Sequence, residues 1–426
     1  MEISELYAIF QQYPVIKTDS RKVLPQDLFF ALKGPSYNGN KYAEQALAAG
    51  AAFAVIDEVV DFTDARLLYT TDVLQTLQLL AKYHRQQFDI PFLAITGSNG
   101  KTTTKELIRE VLATTYKTYS TIGNLNNHIG IPLTILSIKK DAEIAIIEMG
   151  ANHLQEIEAY CTYALPTHGI ITNAGKAHLE GFGGIEGVKK GKGELYDYLK
   201  NNNGIIFRMN DYPYLKEMSK DIATVVTYGT SNADTTGAAM MESDFLKVSI
   251  TSKSSIKTIN TQLVGAYNLP NVLAAITVGM YFNVPEEKIK LALENYSPDN
   301  SRSQMIEKNG NKIILDAYNA NPSSMRAAIE NFALMPAADK IVWLGGMMEL
   351  GEESLAEHQA LIELLATYPW KEVVLIGGDF INTKHNFKYL NNTAEGKIWF
   401  QQQQYNNAVL LIKGSRSIGM EKILEQ

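Results

Sequence analysis

The sequence contains a single cysteine, Cys161, among its 426 residues, so it cannot form an intrachain disulfide. This is consistent with a reducing compartment. No apolar run approaches the roughly 20 residues that cross a bilayer, and residues 1–5 lack the basic and apolar regions of a signal peptide. We therefore expect a cytoplasmic protein without a membrane span.

The sequence also has fewer basic than acidic residues. The chain has 39 Lys and Arg against 46 Asp and Glu, which gives a net charge of −7, and it has no strongly basic tract. Sequence-independent nucleic-acid binding depends on such tracts, so we expect no nucleic-acid partner. A hydrophobic content of 46% and a charged content of 20% are typical of a globular protein.

A glycine-rich turn stands between a predicted strand and a predicted helix. Residues 95–104 read I-T-G-S-N-G-K-T-T-T, with an apolar run before them and a helical pattern after them. Backbone N–H groups and the helix dipole make such a turn an anion site. Lys101 can reach outer phosphates and Thr102 can bind Mg²⁺. We predict an ATP site formed by Gly97, Ser98, Asn99, Gly100, Lys101, Thr102 and Thr103, although Ile95 replaces the first glycine of the longer phosphate-loop pattern.

Three units of alternating strand and helix patterns are predicted: a first unit (1–86), a central unit (87–298) and a third unit (299–426). In the central unit, continuous apolar strands predict a parallel sheet; they lie at 92–96, 144–148, 169–173 and 204–207. The runs 224–228, 245–251 and 256–264 are interpreted as successive antiparallel strands, with a helix over 268–282. The third unit has strand patterns at 312–315, 341–344, 373–376 and 409–412. Two low-complexity stretches, 201–203 and 401–404, are predicted to be surface loops.

Two further polar side chains occur where predicted central strands end. Glu148 closes one strand and His178 follows another. Ligands of open parallel sheets bind at this edge, and Glu148 offers a hard oxygen for Mg²⁺. Alone, each residue would more often be a solvated or salt-bridged side chain. Their joint placement around the phosphate loop favours a functional role.

These residues resemble the Mur ligase family over nearly the whole chain. The matching motifs are G-S-N-G-K-T-T at 97–103, G-N-L-N-N-H-I-G at 123–130, E-M-G-A-N-H at 148–153 and N-A-G-K-A-H-L-E-G-F-G at 173–183. The stretch D-A-Y-N-A-N-P-S-S-M at 316–325 is most similar to the member that adds D-Ala-D-Ala. The resemblance implies an α/β fold of three domains: a small N-terminal UDP-binding domain, a central parallel-sheet ATPase domain with an antiparallel flank, and a Rossmann-like C-terminal domain.

The resemblance also implies an activity. ATP phosphorylates the terminal carboxylate of UDP-N-acetylmuramoyl-tripeptide, and the amine of D-Ala-D-Ala attacks the acyl phosphate. The products are the pentapeptide precursor of peptidoglycan, ADP and phosphate. A carboxylate is a poor electrophile, and two anions must meet, so Lys101 and Mg²⁺ are needed at the contact. A monomer is expected.

Individual roles follow from the resemblance, position by position. It implies catalytic roles for Lys101, Glu148, His178, Lys192 and Asn127, and a metal set of Thr102, Glu148, His178 and Lys192. It implies ATP contacts by Asn268, Arg302 and Asp316, and UDP-substrate contacts by Ser20 and Arg21. It implies that Tyr318, Asn319 and Asn321 hold either the dipeptide or the closed domain interface. Asn268 is equally suited to be a helix N-cap, and Ser20 and Arg21 to form a plain turn.

Lys192 is implied to carry CO₂ as a carbamate. An unmodified ammonium would repel Mg²⁺, whereas carboxylation reverses its charge and presents two oxygens. Capture of CO₂ needs a neutral amine, so a lowered lysine pKa would assist it. The ordinary alternative is an exposed helix lysine.

Two departures from the family pattern leave amine recognition open: Gly346 and Ala317 stand where acidic residues are usual. The alternative functions are a ligase that adds the third stem amino acid, a phosphate-loop ATPase or kinase, and an inactive ATP-binding partner. The first would carry an Asn-Pro-Arg or Asn-Pro-Ala type motif late in the third unit, and none is present. Catalysis is expected to require closure of the third unit, with Arg302 and Asp316 far from Lys101 before ligands bind.

Overall fold

A computed structural model describes residues 1–240, 244–299 and 301–425. The first unit contains a parallel sheet in the order β1-β2-β5-β6 and a separate antiparallel hairpin, β3-β4. Its strands are β1 (Ile16–Lys17), β2 (Leu28–Phe30), β3 (Lys33–Gly34), β4 (Tyr37–Asn38), β5 (Phe53–Ile56) and β6 (Leu67–Tyr69). Its helices are α1 (Ile3–Gln12), α2 (Ala43–Ala48) and α3 (Val73–Arg85).

The central unit is built on a nine-stranded sheet in the order β15-β14-β13-β12-β11-β10-β7-β9-β8. The strands are β7 (Phe92–Thr96), β8 (Thr118–Ser120), β9 (Ile144–Glu148), β10 (His168–Ile171), β11 (Ile205–Met209), β12 (Thr224–Gly229), β13 (Thr235–Met240), β14 (Lys247–Ile250) and β15 (Thr258–Asn260). The helices are α4 (Lys101–Ala113), α5 (Gly130–Leu136), α6 (Glu156–Ala164), α7 (Leu179–Phe182), α8 (Ile185–Asn201), α9 (Pro213–Met218), α10 (Leu269–Tyr281) and α11 (Glu286–Asn295).

The apolar runs of this unit form its core. Every residue of β7, β9 and β10 is buried, as expected for strands covered on both faces. β7 lies between β10 and β9 and pairs with both in parallel, so the carboxyl ends of the three strands meet at one edge. That edge carries the phosphate loop.

The antiparallel flank begins one strand later than the sequence suggests. β12 pairs in parallel with β11 and with β13, and only β13-β14 and β14-β15 are antiparallel. The prediction of an antiparallel strand at 224–228 is therefore wrong. β13 was missed because its sequence, T-T-G-A-A-M, has few of the large apolar residues that mark a buried strand.

The third unit has a six-stranded sheet in the order β16-β17-β21-β18-β19-β20, parallel except for the β16-β17 pair. The strands are β16 (Gln304–Lys308), β17 (Asn311–Asp316), β18 (Lys340–Gly345), β19 (Glu372–Ile376), β20 (Lys388–Leu390) and β21 (Val409–Lys413). The helices are α12 (Pro322–Leu334), α13 (Ser354–Ala366) and α14 (Thr393–Gln403). Edge strands β16 and β20 were not predicted, and residues 401–403 belong to α14 rather than to a loop.

Each sheet lies inside one of the three predicted units, and we keep the boundaries at 86/87 and 298/299 as a proposal. The short 3₁₀ helices are Ser20–Lys22, Gly39–Tyr42, Ala266–Asn268, Gly351–Glu353, Gly378–Asn382 and Met420–Leu424. In the described part of the chain, no helix combines the length and apolar character needed to traverse a bilayer.

Candidate active site

The phosphate loop joins β7 to α4 in a conformation that only glycine allows. Gly97 and Gly100 have φ angles of 143° and 79°, and a Cβ on Gly97 would lie 2.0 Å from Oγ1 of Thr172. The N–H groups of Ser98 and Asn99 donate to Asn173, at 3.0 Å each. The amides left to bind an anion are therefore those that open α4, which have no carbonyl partner within the helix.

Lys101 folds back onto this loop. Its Nζ donates to the carbonyl oxygens of Gly97 at 2.6 Å and Ser98 at 3.3 Å. Burial lowers the pKa of the Lys101 ammonium to about 8; the Glu148 carboxylate opposes this shift and the Arg302 cation adds to it. Lys101 therefore lies against the loop as an ammonium group that loses its proton at a lower pH than an ordinary lysine does.

The affinity for an ATP analogue is expected to fall above about pH 8, by up to about tenfold per pH unit, because Lys101 is neutral there and must regain its proton to pair with phosphate. Below that pH the ammonium is already charged and the affinity should level off. Calorimetric titration between about pH 7 and about pH 10 tests this. The same slope in Lys101→Ala would contradict it.

Glu148 ends β9 with an unsatisfied oxygen. The residue is 1% exposed; Oε1 accepts from Nδ2 of Asn126 at 2.7 Å, whereas Oε2 has no hydrogen-bond partner among the residues described. A buried carboxylate oxygen without a partner is unfavourable. A divalent cation would satisfy it, so the site fits Mg²⁺. Thr102, which is buried, lines the same cavity.

Acidic and imidazole groups alone do not complete a metal site. In residues 1–240, 244–299 and 301–425, no group of three or more His, Cys, Asp and Glu side chains could hold a metal ion. A cation beside Glu148 would need further oxygens, from the Thr102 hydroxyl, a nucleotide phosphate or a modified Lys192.

Lys192 is fully buried on α8. Its Nζ donates to the carbonyl oxygen of Ala151 at 2.9 Å and lies 4.9 Å from the centre of the Phe182 ring. Burial, and secondarily the nearby Lys101 charge, holds its pKa well below the usual range. The alternative of an ordinary exposed lysine is therefore wrong for this residue.

His178 and Asn127 take different positions around the cavity. His178 has a left-handed backbone, with φ at 52°, and its Nδ1 lies 2.5 Å from Oε2 of Glu349 in the third unit. Asn127 is exposed; its Oδ1 accepts from the N–H groups of Gly130 at 2.9 Å and Ile129 at 3.2 Å. Both residues line the same cavity as Lys101 and Glu148, whose volume is about 780 Å³.

The carboxamide of Asn268 is engaged inside the protein. Its Nδ2 donates to Val264 O at 2.9 Å and its Oδ1 accepts from Nδ2 of Asn271 at 2.8 Å. Asn268 occupies the N-cap position of α10, as the alternative predicts, but its side chain makes no capping bond to the helix. Nδ2 has a second N–H and Oδ1 a second lone pair, so an adenine contact would not require either bond to be exchanged.

Asn271 joins α10 to the phosphate-loop helix and was missed from the sequence. Its Oδ1 accepts from Oγ1 of Thr104 at 3.0 Å, and a Cβ on Gly100 would lie 2.7 Å from that oxygen. The spacing in the sequence indicates this residue, because Asn271 follows Asn268 by three positions and both side chains therefore lie on one face of the helix.

Asn271→Ala is expected to cost about 1–3 kcal/mol in the stability of the α4–α10 contact, because Thr104 and Asn268 lose a buried partner. Hydrogen–deuterium exchange of α4 and α10 should become faster. Asn295→Ala, at an exposed position on α11, is the matched control. Equal exchange in both variants would refute the bridging role.

The third unit brings an arginine and a carboxylate to this cavity. The Arg302 guanidinium lies 3.5 Å from the centre of the Tyr318 ring, and its buried Nε has no partner among the described residues. Asp316 accepts from Nζ of Lys413 at 2.7 Å and from the N–H group of Ser303 at 3.2 Å. Lys413 was not predicted.

The two units are packed together. Nδ2 of Asn321 donates to Oδ1 of Asn99 in the phosphate loop at 2.7 Å. The expectation that Arg302 and Asp316 lie far from Lys101 without ligands is wrong for this structure, since all three line one cavity. Tyr318 and Asn319 also line it, and the Asn319 carbonyl oxygen accepts from Lys413 at 3.1 Å.

Packing explains one departure from the family pattern. A Cβ on Gly346 would lie 2.5 Å from the Cα of Gly378, so an acidic side chain does not fit there without a backbone shift. Ala317 is fully buried, so a carboxylate at this position would be removed from solvent.

Ser20 and Arg21 lie elsewhere, in the first unit. Ser20 is buried, with its hydroxyl 3.4 Å from Oε1 of Gln45, and Arg21 forms a two-bond ion pair with Asp19 at 2.8 and 2.9 Å. Neither residue is among those that line the cavity. The structure therefore separates them from the phosphate loop.

Three α/β units, a phosphate loop and cationic side chains from two units around one cavity define an ATP-dependent ligase architecture. The sequence profiles of the Mur ligase family catalytic domain, the Mur ligase middle domain and the Mur ligase glutamate ligase domain match residues 12–85, 95–279 and 301–416. The chain belongs to the Mur ligase family, as the sequence motifs predicted.

Several relatives resemble the chain along its length. It is 33% identical to UDP-N-acetylmuramoyl-tripeptide–D-alanyl-D-alanine ligase of Bacillus subtilis, over 96% of this chain and 92% of that protein. A crystal structure of MurF from Acinetobacter baumannii is 29% identical over 96% of this chain and 92% of its own, with a TM-score of 0.87. MurF ligase from Thermotoga maritima in complex with ADP is 26% identical over 96% of both chains, with a TM-score of 0.86.

Proposed function

We propose that this chain joins D-Ala-D-Ala to the terminal carboxylate of UDP-N-acetylmuramoyl-tripeptide, with ATP as co-substrate and an acyl phosphate as intermediate. The observation that carries the proposal is the shared cavity, which is lined by Lys101 and Glu148 of the central unit and by Arg302 of the third unit. Lys192 does not line the cavity; it is fully buried, and its Nζ donates to the carbonyl oxygen of Ala151, which does. The name of the Bacillus subtilis relative supports the choice of substrates.

The cavity suits a reaction between two anions. The triphosphate would lie at the N-terminus of α4, where backbone N–H groups and Lys101 meet its charge. Arg302 approaches from the third unit, and its Nε, which has no partner in the described part of the chain, offers a further donor to phosphate. These groups are in place before the reaction, so they can stabilise developing charge at little reorganisation cost.

Glu148 and Thr102 would hold Mg²⁺, with His178 and Lys192 as further candidate ligands. When bound, the ion supplies positive charge at the phosphate oxygens. Glu148 is kept in place by Asn126, which leaves Oε2 directed away from that hydrogen bond.

We propose that Lys192 is carboxylated by CO₂. Its burial and lowered pKa favour the neutral amine that attacks CO₂. Nζ forms the new bond to carbon and loses a proton, and the product is a carbamate. The anionic carbamate would then offer oxygens to a cation, which the ammonium cannot do.

The remaining roles are assigned by position. Asn127 and Asn268 line the cavity wall and would contact the γ-phosphate side and adenine, respectively. Asp316 would contact ribose, while Tyr318, Asn319 and Asn321 serve closure or dipeptide binding; the Asn321–Asn99 bond favours closure for Asn321. Ser20 and Arg21 would contact the UDP part of the substrate in the first unit. We also propose a cytoplasmic monomer.

The decisive assay measures phosphate release from ATP with purified UDP-N-acetylmuramoyl-tripeptide, with and without D-Ala-D-Ala. Release that depends on both substrates, with formation of the pentapeptide by mass spectrometry, is the expected result. Release that instead depends on a single amino acid and the dipeptide precursor would favour a ligase for the third stem residue. Phosphate transfer to another acceptor would favour a kinase.

A further inference from the structure

Part of the contact between the central and third units runs through residues 175–180. The N–H group of Lys176 donates to Oγ of Ser323 at 3.0 Å, and the Lys176 ammonium pairs with Glu357. A Cβ on Gly351 would lie 3.2 Å from Cβ of Glu180, so the backbones are close there too. The conformation of this segment is therefore tied to the packing of the third unit.

His178 lies in the middle of that segment and meets Glu349 of the third unit. The two residues have left-handed backbones, with φ angles of 52° and 62°, a conformation that is uncommon in residues other than glycine. Nδ1 of His178 is 2.5 Å from Oε2 of Glu349, although its direction is off the line of an ideal hydrogen bond. The packing of two strained loops thus brings imidazole and carboxylate together.

We propose that Glu349 is a positioning residue that fixes the orientation and tautomer of His178. Its carboxylate oxygen lies against Nδ1, which favours the tautomer with the proton on that nitrogen and turns Nε2 away from Glu349. Carboxylates act in this way behind histidines that bind metals. Glu349 is not among the cavity-lining residues, whereas His178 is, so the glutamate acts through the histidine.

The consequence for the reaction rests on the proposed function. Glu349 belongs to the third unit and His178 to the central unit, so the histidine is oriented only while the two units are packed together. The central unit alone would leave His178 free to adopt either tautomer. Packing of the third unit against the central unit would then orient His178 for cation binding and also bring Arg302 to the cavity.

The test is nitrogen-15 NMR of the imidazole rings in the full chain, labelled at its seven histidines. Signals of His178 are assigned by their loss in His178→Gln. At about pH 8, where free imidazole is neutral, the unmodified protein should show the Nδ1–H form, and Glu349→Ala should shift His178 towards the Nε2–H form. In Glu349→Ala, the Mg²⁺ concentration that gives half-maximal phosphate release should be about 10–100-fold higher than in the unmodified protein.

Two controls separate positioning from general loosening of the interface. Glu357→Gln weakens the ion pair with Lys176 but does not touch His178, and Glu352→Ala removes an exposed carboxylate from the same loop. Neither should change the His178 tautomer, while Glu349→Gln, which keeps an acceptor oxygen, should restore the Nδ1–H form in part.

An unchanged tautomer in Glu349→Ala, or an equal shift in Glu357→Gln, would overturn the assignment. The NMR experiment needs no substrate, so it can succeed or fail independently of the proposed reaction. Failure of the proposed function would instead appear as absent pentapeptide synthesis in the unmodified protein.

Discussion

Lys101→Ala is expected to reduce phosphate release by at least about 10³-fold, while binding of UDP-N-acetylmuramoyl-tripeptide stays measurable. Lys101 is the cation on the phosphate loop itself, with Nζ 2.6 Å from the Gly97 carbonyl oxygen. In the proposed mechanism, the carboxylate and the triphosphate approach each other at this loop. Stopped-flow phosphate detection and calorimetry with the UDP substrate measure the two quantities. The UDP-substrate contacts are assigned to the first unit, away from this loop, which is why they should survive.

Loss of both properties would show that Lys101→Ala fails to fold, which circular dichroism would reveal. Near-normal phosphate release from a folded variant would rule out the loop as the ATP site. Lys200→Ala is a suitable control, because Lys200 lies on the surface in an ion pair with Asp221, at 3.3 Å.

Lys192→Ala is expected to lower activity by about 10²–10³-fold, and added short carboxylates such as acetate or formate are expected to restore part of it. The alanine removes both a buried lysine and the proposed carbamate, and it leaves space that a small carboxylate can enter. Activity is followed by pentapeptide formation across a series of carboxylate concentrations.

Lys190→Ala is the matched control, since Lys190 is exposed on the same helix. Carbon-13 NMR after incubation with labelled bicarbonate provides a second readout, with a carbamate signal expected in the unmodified protein and absent from Lys192→Ala. A folded Lys192→Ala variant that no carboxylate rescues, together with no carbamate signal, would refute the modification.

The parallel core of the central unit could be predicted because its strands are continuous apolar runs. Burial on both faces imposes that pattern; β7 and β9 are buried over their full length and apolar up to their last residues, Thr96 and Glu148. The direction of β12 could not be predicted in the same way. An apolar strand of about six residues reads alike in a parallel and an antiparallel setting, and only its partner decides.

The site was predictable where chemistry demands particular residue types at a fixed spacing. Gly97 and Gly100 are required by their backbone angles and close contacts, and Lys101 follows directly. Glu349 carried no such signal: it is a polar loop residue, and its partner His178 is 171 positions earlier in the chain. Contacts of that kind depend on how the units pack, which no local pattern records.

Because the chain has a single, buried cysteine, movement of the first unit relative to the third can be measured with dyes attached to introduced cysteines. Cys161 is fully buried on α6, and burial raises the pKa of its thiol, so little reactive thiolate forms near neutral pH. Cysteines introduced at Val59 in the first unit and Leu334 in the third, which are 91% and 80% exposed, would take up maleimide dyes without removal of the native residue. A donor–acceptor pair at those two sites would turn each nucleotide-driven rearrangement into a change in fluorescence energy transfer.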